Sequence, residues 1–296
     1  MPEQFGKQYT ERRATKMKIT QLCPNIGANI DGVDLSKPLT PEVIGTIKAA
    51  WDQHLVLRFR NQLINDDDLL RFSKYFGELD PPGPNPYGVT FLPKYPEINV
   101  ISNVKAADGT PIGNLGDGEA VWHADMTYIE QPPVAGILYS LEVPRDQGNT
   151  YFSNMIYAYE ALPSDLKKEI DGKILIHDAA HNSAGMLRKG YSEVTDPAET
   201  PGARHPMVWT DTGGKQALFL GRRPHAYVVG LSADDSNQLL DEVWSHATNP
   251  EWIWHNEWEV GDLIMWQNHL VMHRRDAFDG NTRRIMHRTQ LKTFAA

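Results

Sequence analysis

Short runs of alternating apolar and polar residues recur along this chain and predict strands. Residues 18–30 read as a strand pair that turns near 24–27. Residues 55–59, 98–104, 135–143, 173–177, 205–210 and 216–220 read as further strands, and Thr150 opens another. Helical spacing is rarer. Thr40 followed by Pro41 marks an N-cap and a first helical position, with the helix running to about residue 53. Residues 66–75 form a second predicted helix, stopped by Gly77. A third covers 164–170, and a fourth covers 232–246 with Ser232 as its cap. Two stretches, 106–119 and 180–204, carry no hydrophobic period and are rich in turn-forming residues. There is no regular strand–helix alternation and no Gly-rich phosphate loop, which speaks against a dinucleotide-binding fold. The predicted fold is mainly β with helices (α+β): a double-stranded β-helix, or jelly roll, covered by helices and bearing long lid loops.

Composition narrows this picture. The chain has 296 residues and is 41% hydrophobic, enough for one large domain over 18–296. The polar stretch 1–17 reads as a flexible arm, since it lacks the apolar run of a secretory signal. No apolar run reaches membrane-spanning length. A single cysteine, Cys23, excludes a disulfide framework and a Cys-rich metal site, and suits a reducing, cytoplasmic setting. The net charge of -9 argues against nucleic acid as a partner. It leaves room for a small anion, because local arginines can dominate inside a cleft.

The chemistry centres on Trp122-His123-Ala124-Asp125 and on a distant segment that carries His269 and His273. On a strand, the i, i+2 spacing puts His123 and Asp125 on one face. Two imidazoles and one carboxylate around a metal leave adjacent positions open, the ligand pattern of non-heme Fe(II) oxygenases. Spacing alone leaves both His269 and His273 open as the third ligand, with His287 as a residue that lines the site. Arg284 lies eleven positions after His273 and suggests a carboxylate cosubstrate held beside the metal. On a strand, Arg284, Met286 and Arg288 share a face, so two guanidinium groups point the same way. The bland reading, surface ion pairs for both arginines, is less attractive after this histidine.

Long segments resemble the taurine dioxygenase / 2,4-dichlorophenoxyacetate dioxygenase (TauD/TfdA) family of Fe(II)- and 2-oxoglutarate-dependent enzymes. They are "IGANIDGVDLSKPL", "RFSKYFGEL", "WHADMTYIEQPP", "GNTYFSNMIYAYEALP", "HPMVWTDTGGKQALFL" and "RRIMHR", in the family's order from about Lys18 onward. The resemblance implies Fe(II) on His123, Asp125 and His273. It implies 2-oxoglutarate held by Thr150 and Arg284, O2 as oxidant, and Arg288 on the anionic end of the substrate. It also implies hydroxylation with release of succinate and CO2, and a homo-oligomer, dimer or tetramer. Related halogenases leave the carboxylate position small, so the retained Asp125 points to hydroxylation.

The expected substrate is a small anionic organic molecule: an aryloxyalkanoate carboxylate, or an alkyl sulfonate or sulfate. Pro82 and Glu119 stand where taurine enzymes carry a polar pair for the amino-sulfonate, which puts taurine itself in doubt. His225 falls where the aryloxyalkanoate branch has a histidine, and Ser183 and Tyr128 are further candidates for the substrate pocket, as are Tyr87, Met126, His181 and Tyr227. Arg222, Arg223 and His225 read equally well as a solvated turn. Two readings from other classes are a non-redox cupin-like metal enzyme and a non-catalytic binding module on the same barrel. Arg284 argues against the first, and the full ligand set argues against the second.

Overall fold

A computed structural model describes residues 16–83, 85–211 and 213–295. Most of the expected N-terminal arm, residues 1–15, lies outside them, whereas Met17 already packs on the core. The elements run β1 (Lys18–Gln21), β2 (Ala28–Asp31), α1 (Pro41–His54), β3 (Val56–Phe59), α2 (Asp66–Lys74), β4 (Gly77–Asp80), β5 (Asn99–Ser102), β6 (Asn114–Leu115) and β7 (Ala120–His123). Then follow β8 (Ala135–Glu142), β9 (Thr150–Asn154), α3 (Met155–Glu160), α4 (Ser164–Ile170), β10 (Ile174–Ile176), β11 (Arg204–Pro206), β12 (Val208–Thr210) and β13 (Gln216–Leu218). The chain closes with β14 (Tyr227–Val228), α5 (Ala233–Ala247), β15 (Ile253–Asn256), β16 (Leu263–Gln267), β17 (Val271–Arg275) and β18 (Ile285–Phe294).

Nine strands form one sheet in the order β1-β2-β3-β16-β8-β18-β5-β6, with β4 also paired to β18. Four strands, β15-β9-β17-β7, form a second. Alternation along the central strands explains the layering. In β16, Leu263 and Met265 face α1 and α2, while Ile264 and Trp266 face the core shared with Phe152, Val271 and Met272 of the second sheet. Both faces of the large sheet are therefore covered, and its central strands read as continuous apolar runs. Gly136 of β8 leaves the space that the Trp266 indole fills, since a Cβ there would fall inside the ring.

Local chemistry sets the helix ends. The Thr40 side chain accepts from the Val43 N–H, and Asn65 with Asp68 forms a capping box at α2. Gly77 does not stop α2. The helix ends at Tyr75 in ordinary right-handed geometry, and Gly77 begins β4, where a Cβ would strike the Thr293 carbonyl. The strand expected over 205–210 divides between two ladders. β11 pairs with β10, β12 pairs with β13, and buried Met207 makes the crossing. Helix α3 escaped the pattern reading because it is one and a half turns long; Asn154 caps it by accepting from the Ile156 and Tyr157 N–H groups.

Candidate functional site

Strand pairing brings the histidines together. His273 of β17 stands directly opposite His123 of β7, so the two side chains are cross-strand neighbours, with ring centroids 4.2 Å apart. Asp125 reaches them differently from the sequence expectation. β7 ends at His123, and Asp125 lies in the turn that follows, next to Met126 at φ 52°. Asn268 pins that turn: its Oδ1 accepts from the Asp125 N–H at 2.8 Å and its Nδ2 donates to the Asp125 carbonyl at 2.9 Å.

Donor atoms of His123, Asp125 and His273 all lie within 4.8 Å of one another, and all three residues are buried. His123 Nε2 stands 3.6 Å from Asp125 Oδ1, and His273 Nε2 stands 3.9 Å from Oδ2. His123 Nδ1 lies 2.7 Å from the Val121 carbonyl, which can only accept, so the proton sits on Nδ1 and Nε2 offers a lone pair to the centre. Burial holds the His273 imidazole neutral, its pKa pushed down to about 3, with His123 adding to the effect. Burial opposes charge on Asp125, yet the Arg288 guanidinium beside it holds its carboxyl far below the usual range. Two imidazole Nε2 atoms and one carboxylate on one side of a cavity fit a divalent metal, with open positions on the other side. His269, the rival ligand, points away and packs between Trp209 and Phe219. His287 also turns away and meets Asp66 of α2 at 2.6 Å.

Two cavities meet at this cluster. The first is largely apolar, with Ile101, Leu138 and Trp266 among its walls and Thr150, Arg275, Arg284 and Arg288 among its polar groups, beside His123 and His273. Arg284 is 2% exposed, has no ion-pair partner among the described residues, and leaves Nε without any acceptor. Burial, and then the charge on Arg275, depress its pKa well below that of free arginine. Gly148, at φ 64°, lies where a Cβ would crowd Phe278 and the Arg284 side chain. Thr150 Oγ1 accepts from the Trp258 indole N–H at 2.9 Å, so its own hydroxyl hydrogen remains free to donate. A buried cation and a hydroxyl donor in one cavity are chemistry suited to a carboxylate.

Arg275 is a polar wall that sequence reading missed. It is buried, bonds the Leu115 and Gly118 carbonyls through Nη2, and has its pKa lowered to about 10 by burial, against the pull of Asp117. Its spacing of two from His273 on one strand was the available signal.

The second cavity is polar. His123, Leu115 and Arg288 line it as well as the first, and it extends to Met126, Tyr128, His181, Asn182, Ser183, Arg188 and Arg222. Tyr128, Ser183, Met126 and His181, the candidates for a substrate pocket, all line this cavity. Burial raises the Tyr128 phenol, so it stays protonated. Arg288, expected to face the substrate, lines this cavity and places Nη1 2.9 Å from both oxygens of Asp125. His225 is exposed and stacks on His181 at 4.1 Å in an adjoining crevice, outside the metal cavity. Arg223 pairs with Asp241 on α5, Tyr227 bonds the Leu231 carbonyl, and Tyr87 is exposed. Glu119 points to Arg274 at 3.6 Å, and Pro82 is half-buried beside Gly83 at the cavity mouth.

Comparison with known proteins adds to this geometry. The family model described as "Taurine catabolism dioxygenase TauD, TfdA family" matches residues 18–290. The alpha-ketoglutarate-dependent 2,4-dichlorophenoxyacetate dioxygenase of Cupriavidus pinatubonensis is 32% identical over 90% of this chain and 94% of its own length. The alpha-ketoglutarate-dependent sulfate ester dioxygenase of Pseudomonas putida is 29% identical over 95% and 91%. Among solved structures, AAD-2 in complex with Mn(II) and N-oxalylglycine superposes with a TM-score of 0.74 at 28% identity, covering 95% of this chain and 98% of that one.

Proposed function

This chain belongs to the TauD, TfdA family, and from that premise we propose that it hydroxylates a small anionic substrate beside an iron held by His123, Asp125 and His273. It is a 2-oxoglutarate-dependent dioxygenase that uses Fe(II) and O2. O2 is the oxidant: iron held there would activate it, and 2-oxoglutarate would give up two electrons as it is converted to succinate and CO2, the substrate giving up the other two. The carrying observation is the pair of cavities that share His123 as a wall. One offers the buried, uncompensated Arg284, and the other opens towards polar residues.

The protein's own groups have defined tasks in this reading. Arg284 and the Thr150 hydroxyl bind and orient the far carboxylate of 2-oxoglutarate. The apolar walls of that cavity exclude water. Arg288 fixes the plane of the Asp125 carboxylate, and Asn268 fixes its backbone. The substrate occupies the polar cavity. Its head group is the carboxylate of an aryloxyalkanoate or the anionic group of an alkyl sulfonate or sulfate, as the names of the relatives support. Hydroxylation at a carbon that bears oxygen gives a hemiacetal-like product, which collapses and breaks the carbon–oxygen bond. The two-sheet core is that of a jelly roll, and the lid segments are the irregular stretches around 106–119 and 180–204. Among the described residues no helix is long and apolar enough to cross a membrane. A cytoplasmic homo-oligomer, dimer or tetramer, completes the proposal and is read by light scattering.

Succinate release under air, with Fe(II), ascorbate and 2-oxoglutarate, tests the reading. The panel is 2,4-dichlorophenoxyacetate, an aryloxypropionate, an alkyl sulfate and taurine, with His273→Ala as control. Stimulation by one anionic class, lost in the variant, is expected. Folded, iron-loaded protein that consumes no 2-oxoglutarate would refute it.

A further inference from the structure

Among the described residues, the largely apolar cavity holds two guanidinium groups without a carboxylate partner. The side chain of Arg284 donates no hydrogen bond to them, and its Nε is buried without an acceptor. Arg275, the last residue of β17, is 5% exposed and lines the same cavity. Its Nη2 is occupied by the Leu115 and Gly118 carbonyls, while its Nε is buried without an acceptor. Asp117 is exposed and pulls on Arg275 only from beyond ion-pair distance. Arg288, the third arginine on this cavity, has the Asp125 carboxylate at 2.9 Å.

The two unpartnered charges act on each other. Both guanidinium carbons lie over the Phe278 ring, Arg275 at 5.2 Å and Arg284 at 6.0 Å from its centre. The charge on Arg275 works against that on Arg284, since both are fixed cations in surroundings that screen poorly. Two like charges held in one buried cavity cost stability until an anion joins them. A single carboxylate can serve both, because its two oxygens offer about four acceptor sites.

We propose that Arg275 is a specificity-determining residue for the cosubstrate: with Arg284 it forms a pair of cations that selects a 2-oxo acid ending in a second carboxylate. This rests on the reading that the apolar cavity takes 2-oxoglutarate, and it adds a residue to the Arg284 and Thr150 of that reading. A 2-oxo acid that ends in a methyl group leaves both cations facing an apolar ligand, so the pair rejects it more strongly than one arginine would. The competing account is that Arg275 only braces the backbone of Leu115 and Gly118. That account predicts equal loss for every ligand of the cavity when Arg275 is removed.

The test is equilibrium binding, read by calorimetry on the full chain loaded with Mn(II). The probes are 2-oxoglutarate and 2-oxopentanoate, which has the same carbon chain with a methyl group in place of the distal carboxylate. Arg275→Met should weaken 2-oxoglutarate by about 30-fold and 2-oxopentanoate by less than about 3-fold, with partial recovery of 2-oxoglutarate binding in Arg275→Lys. In Arg284→Gln, the remaining Arg275 should preserve a preference of about 10-fold for 2-oxoglutarate. Equal losses for both probes in Arg275→Met would make Arg275 a brace and overturn the inference. So would unchanged 2-oxoglutarate binding in that variant, or an Arg284→Gln protein that binds the two probes equally. Should Arg275→Met fail to fold, the Arg284→Gln comparison decides, because it leaves Arg275 in place. Succinate release by the wild type is measured separately, so that failure of the dioxygenase reading shows there. A wild type that releases succinate yet binds both probes equally overturns this inference alone.

Discussion

Arg284 carries a desolvation cost that nothing in the described residues offsets, because it is buried without a counter-ion there. Such a charge is tolerated when a ligand supplies the missing partner. Arg284→Gln is therefore expected to raise the KM for 2-oxoglutarate by about 100-fold, with a smaller change in kcat. Succinate release against 2-oxoglutarate concentration checks this, and an unchanged KM would remove Arg284 from the cosubstrate site. His269 makes a prediction about stability. Burial lowers its pKa from 6.5 to about 4, so the unfolded chain binds the proton more readily than the folded one. Its contribution is present above pH 6.5 and is lost as pH falls towards 4. His269→Phe should flatten the slope of unfolding free energy against pH in that window by up to about one proton. Denaturant titrations across the window would show it, and an unaltered slope would contradict it. At this scale the sequence was informative where residue type and spacing coincide, as at His123, Asp125 and Arg284. Between His269 and His273 spacing could not choose; the direction of each side chain does.

Elements convert these residues into a site. Antiparallel pairing of β7 with β17 sets the histidines opposite each other, and the turn after β7 swings Asp125 into place. Asn268, in the turn between β16 and β17, locks that swing through two hydrogen bonds. Asn268→Ala is expected to weaken Mn(II) or Fe(II) binding by about 10- to 100-fold while the secondary structure persists. Calorimetric metal titration with circular dichroism is the check, and full metal affinity would show that the turn holds itself. Continuous apolar runs announced the long strands β8 and β16, since both faces of each are buried. Short elements were less legible. The split at Met207 and the six-residue α3 depend on which ladder or cap captures the backbone, and periodicity carries no trace of that choice.

Across the whole molecule, two sheets share one core, and helices α1 and α2 cover the outer face of the larger sheet. That arrangement places β17 and β18 so that His123, His273 and Arg284 line one cavity. The mainly β class followed from strand number and spacing, whereas the position of the polar cavity depended on two irregular stretches with no period to read. The central claim is that O2 is split between cosubstrate and substrate at this cavity wall. The most direct measurement is mass spectrometry of the succinate formed by iron-loaded protein from 2-oxoglutarate under 18O2. One labelled oxygen per succinate is expected, with label absent when His273→Ala replaces the wild type. Succinate that carries no label, or none formed by folded protein with iron bound, would contradict the claim.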